Sequence, residues 1–179
     1  FDVLGARASF GRTLTPEDDR VRGGHPVAVV SESLSRTLYG GPDPTGRTLR
    51  INGRPFTVVG AMAQDFTGVA LDSRPLVWMP MSMHATAAPE WNVPRPGRAF
   101  VDPLDDRRFS WLDMVGRLAP GVTIEQAQAR LDVLAKHRAE TAPQGKDDPY
   151  PALVPAWDAA IDFGGPNETK KLSWLLFGV

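Results

Sequence analysis

Apolar and polar positions alternate most sharply over residues 47–62. Leu49 and Ile51 alternate with Thr48 and Arg50, the period of a strand with one buried face. Asn52-Gly53 follows. A tight type I′ turn needs positive φ at both central positions, so a β-hairpin is predicted there. On the return strand Phe56, Val58 and Met62 share a face, and Gly60 interrupts it. A glycine at such a position points to a bulge or to a close approach of another backbone. Pro55 cannot donate to a ladder, so the return strand starts at a sheet edge.

The same reading extends along the chain. Residues 1–5 read as the end of an element begun upstream. Thr15-Pro16-Glu17-Asp18 has the form of a helix start, with a Thr N-cap, Pro in the first turn and acids facing the positive helix end. Residues 26–30 form a short β-branched run and predict a strand. Ser31 caps the helix after it, Leu34 and Leu38 share a face of that helix, and Gly40-Gly41 closes it. Residues 64–75 read as a loop with Phe66 and Val69 turned inward. Residues 76–81 (LVWMPM) predict a strand that Pro80 ends or places at an edge. Residues 84–108 show no regular period and are rich in Pro, charge and small side chains. So long an irregular stretch is a binding loop or a mobile one. Residues 110–118 alternate as a strand. Thr123 and Gln126 form a capping box for a helix to about residue 138, with Ile124, Ala127, Leu131 and Leu134 on one stripe. A polar linker over residues 143–148 precedes a last short strand at 152–157.

Composition narrows the chemistry. The chain has 179 residues, 42% of them hydrophobic and 23% charged, which suits one domain or two small ones with a proper core. A net charge of -1 argues against a nucleic-acid-binding surface. The sequence holds no cysteine, so disulfides, thiolate catalysis and cysteine-ligated metals are excluded. The 17 glycines and 17 prolines favour a β-containing fold over a helix bundle. The chain opens at Phe1 and reads as a piece of a longer protein.

Motifs for catalysis are missing from the sequence. There is no G-x-S-x-G, S-x-x-K, P-loop or G-x-G-x-x-G pattern. His25, His84 and His137 stand in separate segments without metal-ligand spacing. The acidic clusters at 17–19, 105–106 and 147–148 do not fit a calcium loop; a helix N-terminus accounts for the first and solvated loops for the others. Trp78 and Trp111 read as core residues. Trp91 and Phe100, in the irregular stretch, read either as exposed partner contacts or as a small apolar cluster beneath that stretch.

Taken in order, the segments FDVLGARASFGRTLTPEDD, HPVAVVSESLSRTLYGG, GRTLRINGRPFTVVGAM, LVWMPM and SWLDMVGRLAPGVTIEQAQARLDVLA carry a resemblance. Their order and spacing resemble the periplasmic core domain of MacB-type ABC transporter permeases, within the wider FtsX-like permease superfamily. The match covers most of the chain and is poorest at residues 84–108. The glycine- and proline-rich style is similar to the acidobacterial group of orphan permeases.

The resemblance implies an α+β fold, a porter-like βαβ unit plus a β-rich sabre-type insert. Residues 1–5 would end a first porter-like unit, 6–108 form the sabre-like subdomain and 109–165 the second porter-like unit. Residues 166–179 would approach the membrane and start a transmembrane helix. The implied setting is the bacterial inner membrane, with this domain facing the periplasm. The implied role is non-catalytic: it transmits ATP-driven motion to periplasmic substrates or adaptor proteins in efflux or export. The alternative is a lipoprotein-releasing relative that handles lipidated substrates. No cofactor or metal is implied. The implied partners are a second permease protomer or half, a separate ABC ATPase, a periplasmic adaptor protein and the membrane itself, with no nucleic acid.

The C-terminus sharpens that expectation. Lys170-Lys171 precede an apolar run that begins near Trp174, far shorter than the ~20 residues a spanning helix needs. Lys170, Lys171 and Trp174 together read as an interfacial membrane anchor at the start of a helix. The alternative is a short amphipathic helix packed on the domain.

Overall fold

The computed structural model describes residues 1–69, 74–88, 102–105, 112, 114–141, 152–155 and 173–177. The chain divides into two units, Phe1–Val69 with Ser73–Pro103, and Ala70–Asp72 with Leu104–Val179. The first carries β1 (Ala8–Gly11), a 3-10 turn at Pro16–Asp19, β2 (Val27–Ser31), α1 (Glu32–Tyr39), β3 (Thr48–Ile51) and β4 (Arg54–Met62). After these come β5 (Val77–Trp78), a 3-10 turn at Met81–Met83 and the single-turn α2 (His84–Ala87).

Strand β4 is the centre of a five-stranded mixed sheet. The β3–β4 hairpin turns at Asn52 (φ 47°) and Gly53 (φ 77°), the positive-φ pair that Asn-Gly supplies at least cost. Along one side of β4 lies β3, paired with Arg54 to Thr57, and then β1, paired with Gly60 to Met62. Along the other side β2 runs parallel from Thr57 to Met62, and β5 pairs antiparallel with β2. Pro55 therefore sits where only β3 flanks the strand, and its missing N–H costs no ladder bond.

The register against β2 slips at Val59, between the Ala28–Val58 and Val29–Gly60 pairs. This is the irregularity that Gly60 announces. A Cβ on Gly60 would lie 2.3 Å from the Arg12 carbonyl oxygen and 2.7 Å from that of Phe10. The bulge thus brings the end of β1 onto the backbone of β4, where the Arg12 N–H donates to the Val59 carbonyl at 2.9 Å. Around this strand sits the core: Ala28, Val30, Leu49, Phe56, Val58, Ala61, Met83 and Ala87, with Phe10, Leu34, Tyr39, Ile51, Val77 and Met79 packed against it.

Helix α1 starts where Ser31 Oγ accepts from the Leu34 N–H at 3.1 Å and ends at Gly40 in the left-handed conformation. Its inward face differs from the Leu34–Leu38 pair expected. Leu34, Ser35 and Tyr39 turn to the core and Leu38 is exposed, because the buried Ser35 hydroxyl is held by the Gly41 carbonyl at 2.8 Å. The expected strand at 76–81 shrinks to Val77–Trp78, with Pro80 opening the 3-10 turn beyond it. Within the irregular stretch, residues 84–87 form α2, a turn with no amphipathic period to betray it.

The second unit carries β6 (Val115–Arg117), α3 (Ile124–Thr141), β7 (Ala152–Pro155) and β8 (Ser173–Phe177). Its sheet is three-stranded in the order β6-β8-β7, with both pairings parallel. Parallel strands of one sheet need a crossover, and α3 lies in the one from β6 to β7, which flank β8. The capping box forms as expected: Thr123 Oγ1 accepts from the Gln126 N–H at 3.3 Å, and Gln126 Oε1 accepts from the Thr123 N–H at 3.1 Å. The stripe on α3 is narrower than predicted. Ile124, Ala127 and Leu131 are half-buried, whereas Leu134 is exposed.

The C-terminal apolar run corrects the sequence expectation. Ser173–Phe177, which includes Trp174, is not the first turn of a helix but the middle strand of the parallel sheet. The middle of a parallel sheet reads as a near-continuous apolar run, so period alone does not separate it from a buried helix. Pairing on both sides satisfies its backbone, which a lone helical turn of this length leaves largely open. Among the described residues no helix is long and apolar enough to cross a membrane.

Candidate functional site

The polar groups of the first unit gather at one corner, where the two 3-10 turns meet. Each acid of the cluster at 17–19 has a separate task. Asp18 accepts from both Arg12 guanidinium nitrogens, at 2.6 and 2.8 Å, and from the Thr15 N–H and hydroxyl, at 2.8 and 3.0 Å. These hydrogen bonds, led by that of Arg12, hold the Asp18 carboxyl well below the usual carboxylate range and push the Arg12 guanidinium up. Asp19 crosses to the second 3-10 turn and accepts from the Ser82 N–H at 2.6 Å. Glu17 pairs with Arg20 on the surface. The Gly23 N–H adds a further link, donating to the Ser82 carbonyl at 3.0 Å.

The corner continues into α2. His84, only 7% exposed, places Nδ1 3.2 Å from the Met81 carbonyl oxygen and Nε2 3.2 Å from Asp102 Oδ1. Arg22 Nη1 lies 3.9 Å from Asp102 Oδ2. The other end of α2 is held by the hairpin turn, where Asn52 Nδ2 donates to the Ala87 carbonyl. Before residue 89, α2 is thus tied to the hairpin tip, and after residue 101, Asp102 lies beside His84 and Arg22.

A second feature is aromatic. Phe1, Phe66 and Trp78 form a half-buried trio with ring centroids 5.6 to 6.0 Å apart. Phe66 turns inward as its sequence context predicts, and Trp78 packs rather than presenting a free face. The trio ties the start of the chain to the edge strand β5.

Of the residues the sequence nominates, Trp91, Phe100, Lys170 and Lys171 lie outside the described residues. Trp174 falls within β8 by its backbone. Among the described residues no group of three or more His, Asp or Glu side chains is set to hold a metal ion. Sequence reasoning missed the pairing of His84 with Asp102. Residues 85–101 separate them, and neither belongs to a periodic segment that would place it.

The model of the MacB-like periplasmic core domain family matches residues 1–134. The macrolide export ATP-binding/permease protein MacB of Aggregatibacter actinomycetemcomitans is 35% identical over 68 residues, 38% of this chain and 10% of that protein. The MacB protein of Neisseria gonorrhoeae is 30% identical over 80 residues, 45% of this chain and 12% of that protein. The chain thus spans about a tenth of the length of these relatives. The crystal structure of the periplasmic region of MacB from Actinobacillus actinomycetemcomitans superposes with a TM-score of 0.47 at 19% identity, over 80% of this chain and 63% of that one.

Proposed function

The chain belongs to the family of MacB-like periplasmic core domains, and from that premise we propose that it passes ATP-driven motion from a cytoplasmic ATPase to partners in the periplasm. It is a periplasmic domain of a MacB-like ABC transporter permease, facing away from the inner membrane. The proposal adds that the domain has no reaction of its own and that ATP is hydrolysed on a separate domain or subunit. The family match over residues 1–134 carries this reading. The macrolide-export function named for the relatives supports efflux or export over lipoprotein release.

Residues 6–108 fill the place of the sabre-like insert and 109–165 that of the second porter-like unit. The division near Pro103 and the β6–α3–β7 crossover support this assignment. Residues 84–108, with Trp91 and Phe100, carry the contacts with an adaptor or a second protomer. The length of the stretch, with no regular period in its sequence, supports that role.

The test uses the parent permease with its ATPase. Trp91→Ala with Phe100→Ala should leave basal ATP hydrolysis and expression unchanged and reduce crosslinking to periplasmic partners. Unchanged crosslinking together with unchanged export would remove the contact role.

A further inference from the structure

We infer that the open edge of β3 is a docking strand for an extended acidic segment of a partner protein, which joins the sheet as a further strand. The hydrogen-bond alternation along the hairpin fixes which groups are free. The Val58 N–H donates to the Arg47 carbonyl at 2.8 Å, while the Thr57 N–H turns to the other side of β4 and donates to the Pro26 carbonyl at 2.8 Å. In the antiparallel register Leu49 opposes Phe56 and Ile51 opposes Arg54, so Arg47, Leu49 and Ile51 are the residues that bond to β4. Thr48 and Arg50 therefore direct their N–H and C=O groups away from β4. Among the described residues no strand lies on that side. The Thr48 carbonyl accepts from the Tyr39 hydroxyl at 3.1 Å, which leaves the Thr48 N–H and both main-chain groups of Arg50 open to a new strand.

Two further observations decide the occupant. The edge is held in shape before anything binds: Tyr39 fixes its start, and Asn52 of the turn, which donates to the Ala87 carbonyl, fixes its end. An edge held at both ends loses little conformational freedom on binding. The charge along it is of one sign. Residues 44–64 hold Arg47, Arg50 and Arg54 and no Asp or Glu, in a chain whose net charge is -1. All three arginines are exposed. The ion pairs among the described residues engage Arg12, Arg20, Arg22 and Arg36 and none of these three. A second copy of the same edge would set arginines against arginines, which disfavours pairing. An acidic strand meets the opposite condition. Main-chain bonds supply its register, and carboxylates beside the arginines supply its selectivity. The inference stands on the hairpin alone and does not depend on the transporter reading.

The probe is a synthetic peptide of alternating pattern, Thr-Glu-Val-Glu-Val-Glu-Thr, titrated into the 179-residue chain and followed by NMR. The Thr48 and Arg50 amide signals should shift in a saturable way, while the Val58 amide, committed to the Arg47 carbonyl, stays in place. Arg50→Glu should weaken binding about 5-fold, since a favourable cross-strand charge pair becomes a like-charge one. Arg47→Glu, at the start of the edge, should act in the same direction. It serves if the first variant alters the turn through loss of the 3.1 Å hydrogen bond from Arg50 to the Gly53 carbonyl. The same peptide N-methylated at alternate residues keeps its charge and loses the N–H groups that pair, so its binding should also fall about 5-fold. No saturable shift at Thr48 and Arg50, equal affinity of the N-methylated peptide, or unchanged affinity in both variants would overturn the inference. Equal shifts at these amides with anionic phosphatidylglycerol vesicles, or on raising the concentration of the chain alone, would assign the edge to a lipid surface or to a second copy and overturn it as well.

Discussion

Strand β4 of the first unit and helix α3 of the second are held in place by different means. In the first, β4 has neighbours on both sides and buries Phe56, Val58, Ala61 and Met62. In the second, none of the described side chains is fully buried, and α3 leaves Val133 and Leu134 68% and 64% exposed. What organises α3 among the described residues is local: the Thr123–Gln126 capping box and the Gln128–Asp132 hydrogen bond one turn apart, at 2.7 Å. A strand has no internal hydrogen bonds and exists only through its neighbours. A helix satisfies its own backbone and needs tertiary packing mainly for stability.

That contrast can be broken most directly at Phe56. Phe56→Ala removes a fully buried ring beside the central strand and should cost about 4 kcal/mol of unfolding free energy. Chemical denaturation checks it, and a loss below about 1 kcal/mol would show that the core does not depend on β4. Gly60→Ala comes next. Its Cβ would meet the Arg12 and Phe10 carbonyl oxygens, which are backbone and cannot rotate away, so a loss of about 3 kcal/mol is expected.

Asp18 sharpens the comparison through pH. Its folded-state value is depressed, so the stability it gives is fully present above the ordinary carboxylate range near pH ~4 and is lost as pH falls below it. Acid should therefore loosen the first unit, and Asp18→Asn should flatten that acid limb while lowering stability at neutral pH. An unchanged slope of the denaturation midpoint between roughly pH 4 and 2 would count against the Arg12 pairing.

The smallest effects belong to α3. Thr123→Ala should cost about 1 kcal/mol, read as faster amide exchange at Gln126 and Ala127. Leu134→Ala should stay within about 0.5 kcal/mol, as befits an exposed side chain. A larger loss at Leu134 than at Thr123 would mean that α3 is held by packing after all, and the contrast between the units would fall.

The candidate site was much less legible than the fold. Thr15 and Asp18 stand close enough in sequence to be read as a start signal. What they build is a 3-10 turn with its capping box formed, and Asp18 also accepts from Arg12, just after β1. Asp19 with Ser82, and His84 with Asp102, join segments with no shared period, and residue types alone do not say which acid meets which donor.

The chain by itself determined the features whose physics is local. Asn52-Gly53 sets the hairpin turn, Ser31 and Gly40 bracket α1, Thr123 opens α3, and Gly60 marks the one place on β4 where another backbone comes too close for a side chain. Each depends on one residue's backbone freedom or on a hydrogen bond within four positions. Tertiary structure decided the rest. It chose β2 as the parallel neighbour of β4, turned Leu38 outward in favour of Ser35, and made Ser173–Phe177 a strand between two others. A short apolar run satisfies its backbone either within itself or across a sheet, and only the strands beside it select between the two.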